Sequence, residues 1–153
     1  MLNEFFTAVE AEIRAAQGVV MRFQGDAILA AFNLPKGNTD HAACALRAAL
    51  AIQTAVKTQR FGRNAVSLAV RIGVNTGEGL AAAVGSDERA DYTIHGDAVN
   101  LAARLEQLNK QHGTRVIASQ RTVELAGEAF EATALGEVSI RGMALSVRIF
   151  RLG

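Results

Sequence analysis

Residues 92–106, YTIHGDAVNLAARLE, pass from strand to helix within a few positions. Residues 92–94 read as a short strand, and Gly96 turns the chain into a helix that Asp97 is placed to cap. Ala98, Leu101, Ala102, Leu105 and Leu108 then recur at helical spacing and form one apolar face, which ends near Gly113. Asn100 and Arg104 stand four apart on the same helix and share a face away from that apolar stripe.

Before this stretch, Leu2, Phe5, Phe6, Val9 and Ile13 predict an amphipathic helix stopped by Gly18. Residues 19–23 and 27–32 read as a hairpin around Gln24-Gly25-Asp26. Pro35, Gly37 and Asn38 mark a loop. Asp40 is placed to cap a helix reaching about Gln59, with Ala43, Leu46, Ala49, Leu50 and Val56 in its core stripe. Val66, Leu68, Val70, Ile72 and Val74 alternate as in a strand. Gly77 and Gly79 bend the chain so that residues 80–84 can return beside it, and residues 86–91 read as a solvated loop. After Gly113 come a strand at 115–118, a short helix at 120–126, and two strands near 138–141 and 147–152 that pair across Gly142. The order describes a single α+β domain over 1–153, with helices covering one face of a mainly antiparallel sheet.

Composition narrows the function classes. The 153 residues are 50% hydrophobic but only 5% aromatic, without tryptophan, so small aliphatic side chains fill the core. Sixteen Lys+Arg against fifteen Asp+Glu leave a net charge of +1, which calls for neither a nucleic-acid partner nor an acidic membrane surface. Cys44 is the single cysteine and lies in the alanine-rich run HAACALRAAL, which predicts a small buried residue rather than a nucleophile, a disulfide or a zinc ligand. Glu4, Glu10 and Glu12 interrupt any leader-like stretch, and no apolar run is long enough to span a membrane. The expectation is a cytoplasmic domain.

Three residues carry candidate chemistry. Asp26, at the tip of a hairpin between apolar strands, is either turn chemistry or a carboxylate held for a divalent metal beside a triphosphate. Arg104 could stabilise charge on a phosphoryl group while Asn100 positions a ribose or phosphate oxygen. The plainer alternative is a solvated helix face with Arg104 paired to Glu106 or Gln107. His41, His95 and His112 have no metal-ligand spacing. The glycines at 73, 77, 79 and 85 match neither a Walker loop nor a dinucleotide fingerprint.

Six blocks occur in a fixed order: LNEFF at 2–6, FQGDAILAAF at 23–32, DHAACALRAALA at 40–51, VRIGVNTGE at 70–78, VGSDERADYTIHGDAVNLAARLE at 84–106 and GEVSIRG at 136–142. Together they resemble the catalytic domain of class III adenylate and guanylate cyclases, in particular the bacterial adenylyl branch. The resemblance implies a ferredoxin-like two-layer sandwich and a reaction in which ATP gives 3′,5′-cyclic AMP and pyrophosphate. It places Asp26 on the second of two metal-binding aspartates, for Mg2+ or Mn2+. Asn100 and Arg104 fall on the pair that orients the ribose and stabilises the reacting phosphate. Thr93 falls on a purine-selecting position, and Arg148 on a basic residue that holds the triphosphate. It also implies a head-to-tail homodimer, in which the aspartates of one protomer face the Asn/Arg helix of the other.

Two positions depart from the family pattern. The family's domain opens with a strand carrying Phe-x-Asp-Ile and the first metal aspartate, whereas this sequence starts at the following helix. The expectation is a fragment of a longer product, or a misplaced start, rather than a degenerate relative, with a central strand missing from the sheet. Arg22 stands where adenylyl cyclases usually have a lysine that donates to adenine. Arginine also donates, and a guanine-selecting enzyme would carry an acidic residue there, so ATP is expected over GTP. The alternative function is a non-catalytic cyclase-homology domain that binds a nucleotide or acts as a regulatory dimerisation module. Reading the coding sequence upstream of Met1 in frame tests the first departure: a strand with Phe-x-Asp-Ile is expected there, and its absence would leave catalysis dependent on a borrowed aspartate.

Overall fold

The computed structural model describes residues 2–34, 37–77, 80–84, 91–139 and 146–153, with backbone alone for 80–84 and 91–95. The elements in order are α1 (Leu2–Ala15), β1 (Val19–Gln24), β2 (Ala27–Ala31), α2 (His41–Thr58), β3 (Ile72–Val74), β4 (Leu80–Val84), β5 (Asp91–His95), α3 (Asp97–His112), β6 (Val116–Ser119), α4 (Gln120–Ala126), β7 (Ala132–Ser139) and β8 (Ser146–Leu152). Four strands form one sheet in the order β3-β6-β8-β7, in which β3 and β6 run parallel and the other pairs antiparallel. Hairpins β1–β2 and β4–β5 make two further two-stranded ladders.

The α+β class follows from the sequence pattern, but the layering is richer than helices on one face. Side-chain alternation along β6 shows why. Val116 and Ala118 pack with Leu46 and Ala49 of α2, while Ile117, between them, packs with Leu101, Leu105 and Leu108 of α3. The sheet is therefore buried on both sides. A third cluster joins Phe5, Val9 and Ile13 of α1 to Ile52 and Val56 of α2, with Phe61 set edge-on to Phe5 at 5.9 Å. Leu46 and Leu105 are fully enclosed, and each such side chain contributes about 1.5–3 kcal/mol relative to exposure.

Several local expectations change. Residues 67–71 have no ladder partner among the described residues, and Val66 makes only an isolated bridge to Phe61. Leu68 and Val70 still pack against the α1–α2 core, so their alternation records burial rather than pairing. Residues 80–84 pair with β5, from Leu80↔His95 to Val84↔Asp91, and not with the 66–74 segment. β7 begins at Ala132, earlier than the pattern indicated, because a bulge at Leu135–Gly136 breaks its alternation. The expected turns at Gly79 and Gly142, and the loop expected at 86–91 up to Ala90, lie outside the described residues.

Helix ends also differ in their chemistry. Gln17, at φ 68, takes the left-handed position after α1, and the amides of Gln17 and Gly18 donate to the Arg14 and Ile13 carbonyls. Gly18 is small for another reason, since a Cβ there would meet the Phe32 ring. Neither Asp40 nor Asp97 caps through its side chain. Asp40 instead donates its own amide to Asn38 Oδ1, and the N-cap of α3 is Gly96.

One segment positions α3. Arg71, Gly73, Asn75 and Gly77 alternate along β3 and its flanks, and all four meet that helix. Arg71 Nε lies 3.8 Å from Glu106 Oε2, Asn75 Nδ2 donates to the Ala98 carbonyl at 3.0 Å, and Gly77 abuts Ala98. At Gly73 the helix backbone itself sits on the strand, because a Cβ there would overlap the Ala102 carbonyl oxygen and the Glu106 nitrogen. Replacing Gly73 by alanine is expected to lower unfolding stability by about 1–3 kcal/mol in a urea titration, and an unchanged midpoint would show that the helix does not need this contact. Among the described residues β3 pairs on one edge only, with β6. The 153-residue chain is therefore expected to self-associate in light scattering as concentration rises, and a clean monomer throughout would refute this.

Candidate active site

Asn100 and Arg104 project from α3 on its exposed face, while Leu101 and Leu105 of the same two turns are buried. The helix thus separates a face that packs from a face free for chemistry. The described ion pairs are Arg14 with Glu10 and Arg71 with Glu106, so Glu106 faces β3 and does not pair with Arg104. Of the plainer alternative, a solvated face with Arg104 paired to Glu106 or Gln107, neither pairing occurs among the described residues, while the exposure of Asn100 and Arg104 fits it.

Asp26 lies at the tip of the β1–β2 hairpin and is exposed. Gln24 pairs with Ala27, leaving Gly25-Asp26 as a two-residue loop with Gly25 at φ 61. The carboxylate is held out from the fold by a rigid ladder. Among the described residues no three His, Cys, Asp or Glu side chains gather as metal ligands. Asp26 alone is suited to offer one oxygen ligand to a hard divalent cation, and the described part of one chain does not complete such a site.

Arg22 is four residues before Asp26 on β1, half-buried, with its Nε shut off from solvent and without a hydrogen-bond partner among the described residues. Its register with β2 slips by one between Val20 and Arg22, so Met21 is an extra residue on that strand. β1 runs close to β5, the strand that carries Thr93, whose side chain lies outside the described residues. Arg148 is exposed on β8, with its guanidinium 5.7 Å from the Phe150 ring centroid.

A cleft of about 350 Å³ opens between the end of β3, the first turns of α3 and the β7–β8 pair. Asn75, Thr76, Leu101, Ser119, Arg121 and Arg148 are among its walls. Its walls also include the carboxylate of Glu137, so Arg121 and Arg148 against that one acid, with several hydroxyl and amide groups, suit it to a hydrogen-bonding ligand that carries negative charge. Of the sequence-derived candidates with described side chains, Arg148 alone lines it. The candidates therefore fall into separate groups: Asn100 with Arg104 on α3, Arg22 near the Thr93 strand, Arg148 in the cleft, and Asp26 at the hairpin tip.

Sequence reasoning missed the polar groups that support α3. Asn109 is 1% exposed, and its Nδ2 donates to the Ile72, Leu105 and Glu106 carbonyls at 3.0, 3.3 and 3.1 Å. Thr114 Oγ1 donates to Asn109 Oδ1 at 2.7 Å. The available signal was a polar residue at the position that continues the Leu101–Leu105 stripe, one further turn along. Thr122, fully buried, joins Thr76 and Ser119 by hydroxyl contacts of 2.9 and 3.0 Å below the cleft.

The family model of the adenylate and guanylate cyclase catalytic domain matches residues 1–152. Adenylate cyclase 1 of Rhizobium meliloti is 34% identical over 155 aligned residues, covering 99% of this chain and 23% of that protein. The chain thus spans about a quarter of the length of that relative. The crystal structure of the adenylyl cyclase CyaB from P. aeruginosa superposes with a TM-score of 0.81 at 26% identity, covering 99% of this chain and 80% of that one. The guanylyl cyclase Cya2 gives a TM-score of 0.78 at 29% identity, over 99% of this chain and 77% of its own. The chain belongs to the adenylate and guanylate cyclase catalytic domain family. The four helices and mixed sheets among the described residues are the class III cyclase fold. No helix among the described residues is long and apolar enough to cross a membrane.

Because Asn100 and Arg104 are exposed, replacing either by alanine is expected to change unfolding stability by no more than about 0.5 kcal/mol. Chemical denaturation of both variants checks this, and a larger loss would assign them a role in the fold.

Proposed function

We propose that this chain is the catalytic domain of an adenylyl cyclase that converts ATP to 3′,5′-cyclic AMP and pyrophosphate in a homodimer. The observation that carries the reading is the exposed Asn100–Arg104 pair on a helix seated firmly against the sheet. The ribose 3′-oxygen attacks the α-phosphorus and loses its proton, and the bond to the bridging oxygen breaks to release pyrophosphate. Charge builds on the α-phosphate oxygens, where a positioned guanidinium stabilises it most. Arg104 takes that role, and Asn100 orients the ribose.

Arg148, in the wall of the cleft, holds the triphosphate, with bidentate donors suited to phosphate oxygens. Arg22 and Thr93 select the purine, and the proximity of their strands supports their acting together. Magnesium or manganese would neutralise charge on the phosphates when bound, with Asp26 as one ligand. The exposed hairpin tip suits Asp26 to serve a second copy of the chain, whose α3 offers the ribose and phosphate contacts. Adenine over guanine rests on Arg22, which donates where a guanine site needs an acceptor. A second reading is a non-catalytic module for nucleotide binding or dimerisation, favoured by the single described carboxylate at the hairpin.

The test is cyclic nucleotide formation from ATP and from GTP with Mn2+, for this chain and for a version extended by the in-frame sequence upstream of Met1. Cyclic AMP is expected from ATP, with Arg104→Ala and Asp26→Ala each reducing kcat by about 100-fold or more. Inactivity of both forms, or variants of full activity, would sink the assignment. Preferential use of GTP would overturn the purine reading alone.

A further inference from the structure

The seat of α3 holds more polar chemistry than packing requires. A buried asparagine on the core face of a helix is unfavourable unless its amide is satisfied, and leucine would fill the space without that demand. Asn109 is enclosed to 1% exposure and fully engaged. Its Nδ2 reaches across to the Ile72 carbonyl at 3.0 Å, and also meets the Leu105 and Glu106 carbonyls of its own helix. Those carbonyls only accept, so the NH2 end of the amide must face them, and Thr114 Oγ1 donates to Oδ1 at the other end at 2.7 Å. The Ile72 amide in turn donates to the Arg115 carbonyl at 2.8 Å, so α3, β3 and the start of β6 are tied at one point.

The location of this tie is informative. Its intrahelical acceptors, Leu105 and Glu106, lie one and two residues beyond Arg104. At the other end of the segment, Asn75 holds the Ala98 carbonyl two residues before Asn100. Between them Gly73 lets the helix backbone rest on the strand. The stretch bearing Asn100 and Arg104 is thus fixed at both ends against translation along β3. Apolar packing of Leu101, Leu105 and Leu108 resists separation but tolerates small slides, whereas directional amide bonds define the axial position. Displacement by about 1 Å at a reacting centre is enough to lower a rate by about 100-fold.

We infer that Asn109 is a positioning residue of the nucleotide site: its amide sets the axial position of α3 on β3 and so places Arg104 and Asn100. The inference rests on the proposed cyclase reading. It touches no substrate itself, since it lies beneath the helix.

The experiment is steady-state cyclase kinetics on Asn109→Asp, which keeps an acceptor for Thr114 but lacks the Nδ2 donor. Thr114→Val is the second variant, because it retains Asn109 and leaves its buried Oδ1 without the hydroxyl that donates to it. Each is made alone and in an Arg104→Ala background. The expected result is a fall in kcat of about tenfold or more with KM within about twofold. In the Arg104→Ala background the further loss is expected to be smaller by at least about threefold, because one of the two groups being positioned is gone and Asn100 remains. Unchanged kcat, a change confined to KM, or full additivity with Arg104→Ala would overturn the inference. Absence of cyclase activity before any substitution at 109 or 114 would sink the proposed reaction instead. Amide hydrogen exchange across 97–112 then decides the seat. Exchange at least about tenfold faster and confined to α3 in Thr114→Val supports it, and exchange either unchanged in α3 or faster throughout the chain overturns it.

Discussion

Helix α3 lies with its backbone directly against β3, and the geometry of the candidate site depends on that contact. A side chain at position 73 would hold the two apart, because the space its Cβ would occupy belongs to the Ala102 carbonyl and the Glu106 nitrogen. Removing it brings polar backbone close to polar backbone, and the structure pairs those groups rather than leaving them to water. Asn75 takes the Ala98 carbonyl, and Asn109 takes the Ile72 carbonyl. Close approach and directional bonding therefore act together on one helix. Arg71 and Glu106, both partly exposed and 3.8 Å apart, add little by comparison.

That contact leaves one side of α3 for solvent. The inner face carries Leu101, Leu105, Leu108 and Asn109, and the outer face carries Asn100 and Arg104. A cation displayed this way keeps its mobility in length but not in origin, since the helix beneath it is fixed. Across the sheet, α2 packs on Val116 and Ala118 and closes the opposite side. The sheet is a spine with packed helices on both faces, which gives the exposed pair a rigid support.

The remaining candidates stand on other supports. Asp26 is carried by a two-stranded ladder, Arg22 by the bulged part of the same ladder, and Arg148 by β8 on the wall of the cleft. Distribution over separate elements suits a site shared between two copies, where each element delivers one group to a common space.

Local periodicity was enough to locate α1, α2, α3 and the β1–β2 hairpin, because each carries its own apolar repeat or turn glycine. The blocks around Tyr92–Glu106 further identified the family and named the candidate residues. What the sequence could not settle was pairing. Val66, Leu68 and Val70 alternate like a strand, yet burial against the α1–α2 core satisfies that alternation without a ladder. Residues 80–84 have two possible neighbours by turn length, and only the assembled fold selects β5. The role of Asn109 was equally hidden, since a polar residue on an apolar stripe has meaning only once the Ile72 carbonyl is seen beside it. Residue types fix local conformation and the chemistry on offer, because those depend on a few neighbours along the chain. Which strand pairs with which, and which amide meets which carbonyl, depends on groups far apart in sequence and was decided by tertiary packing alone.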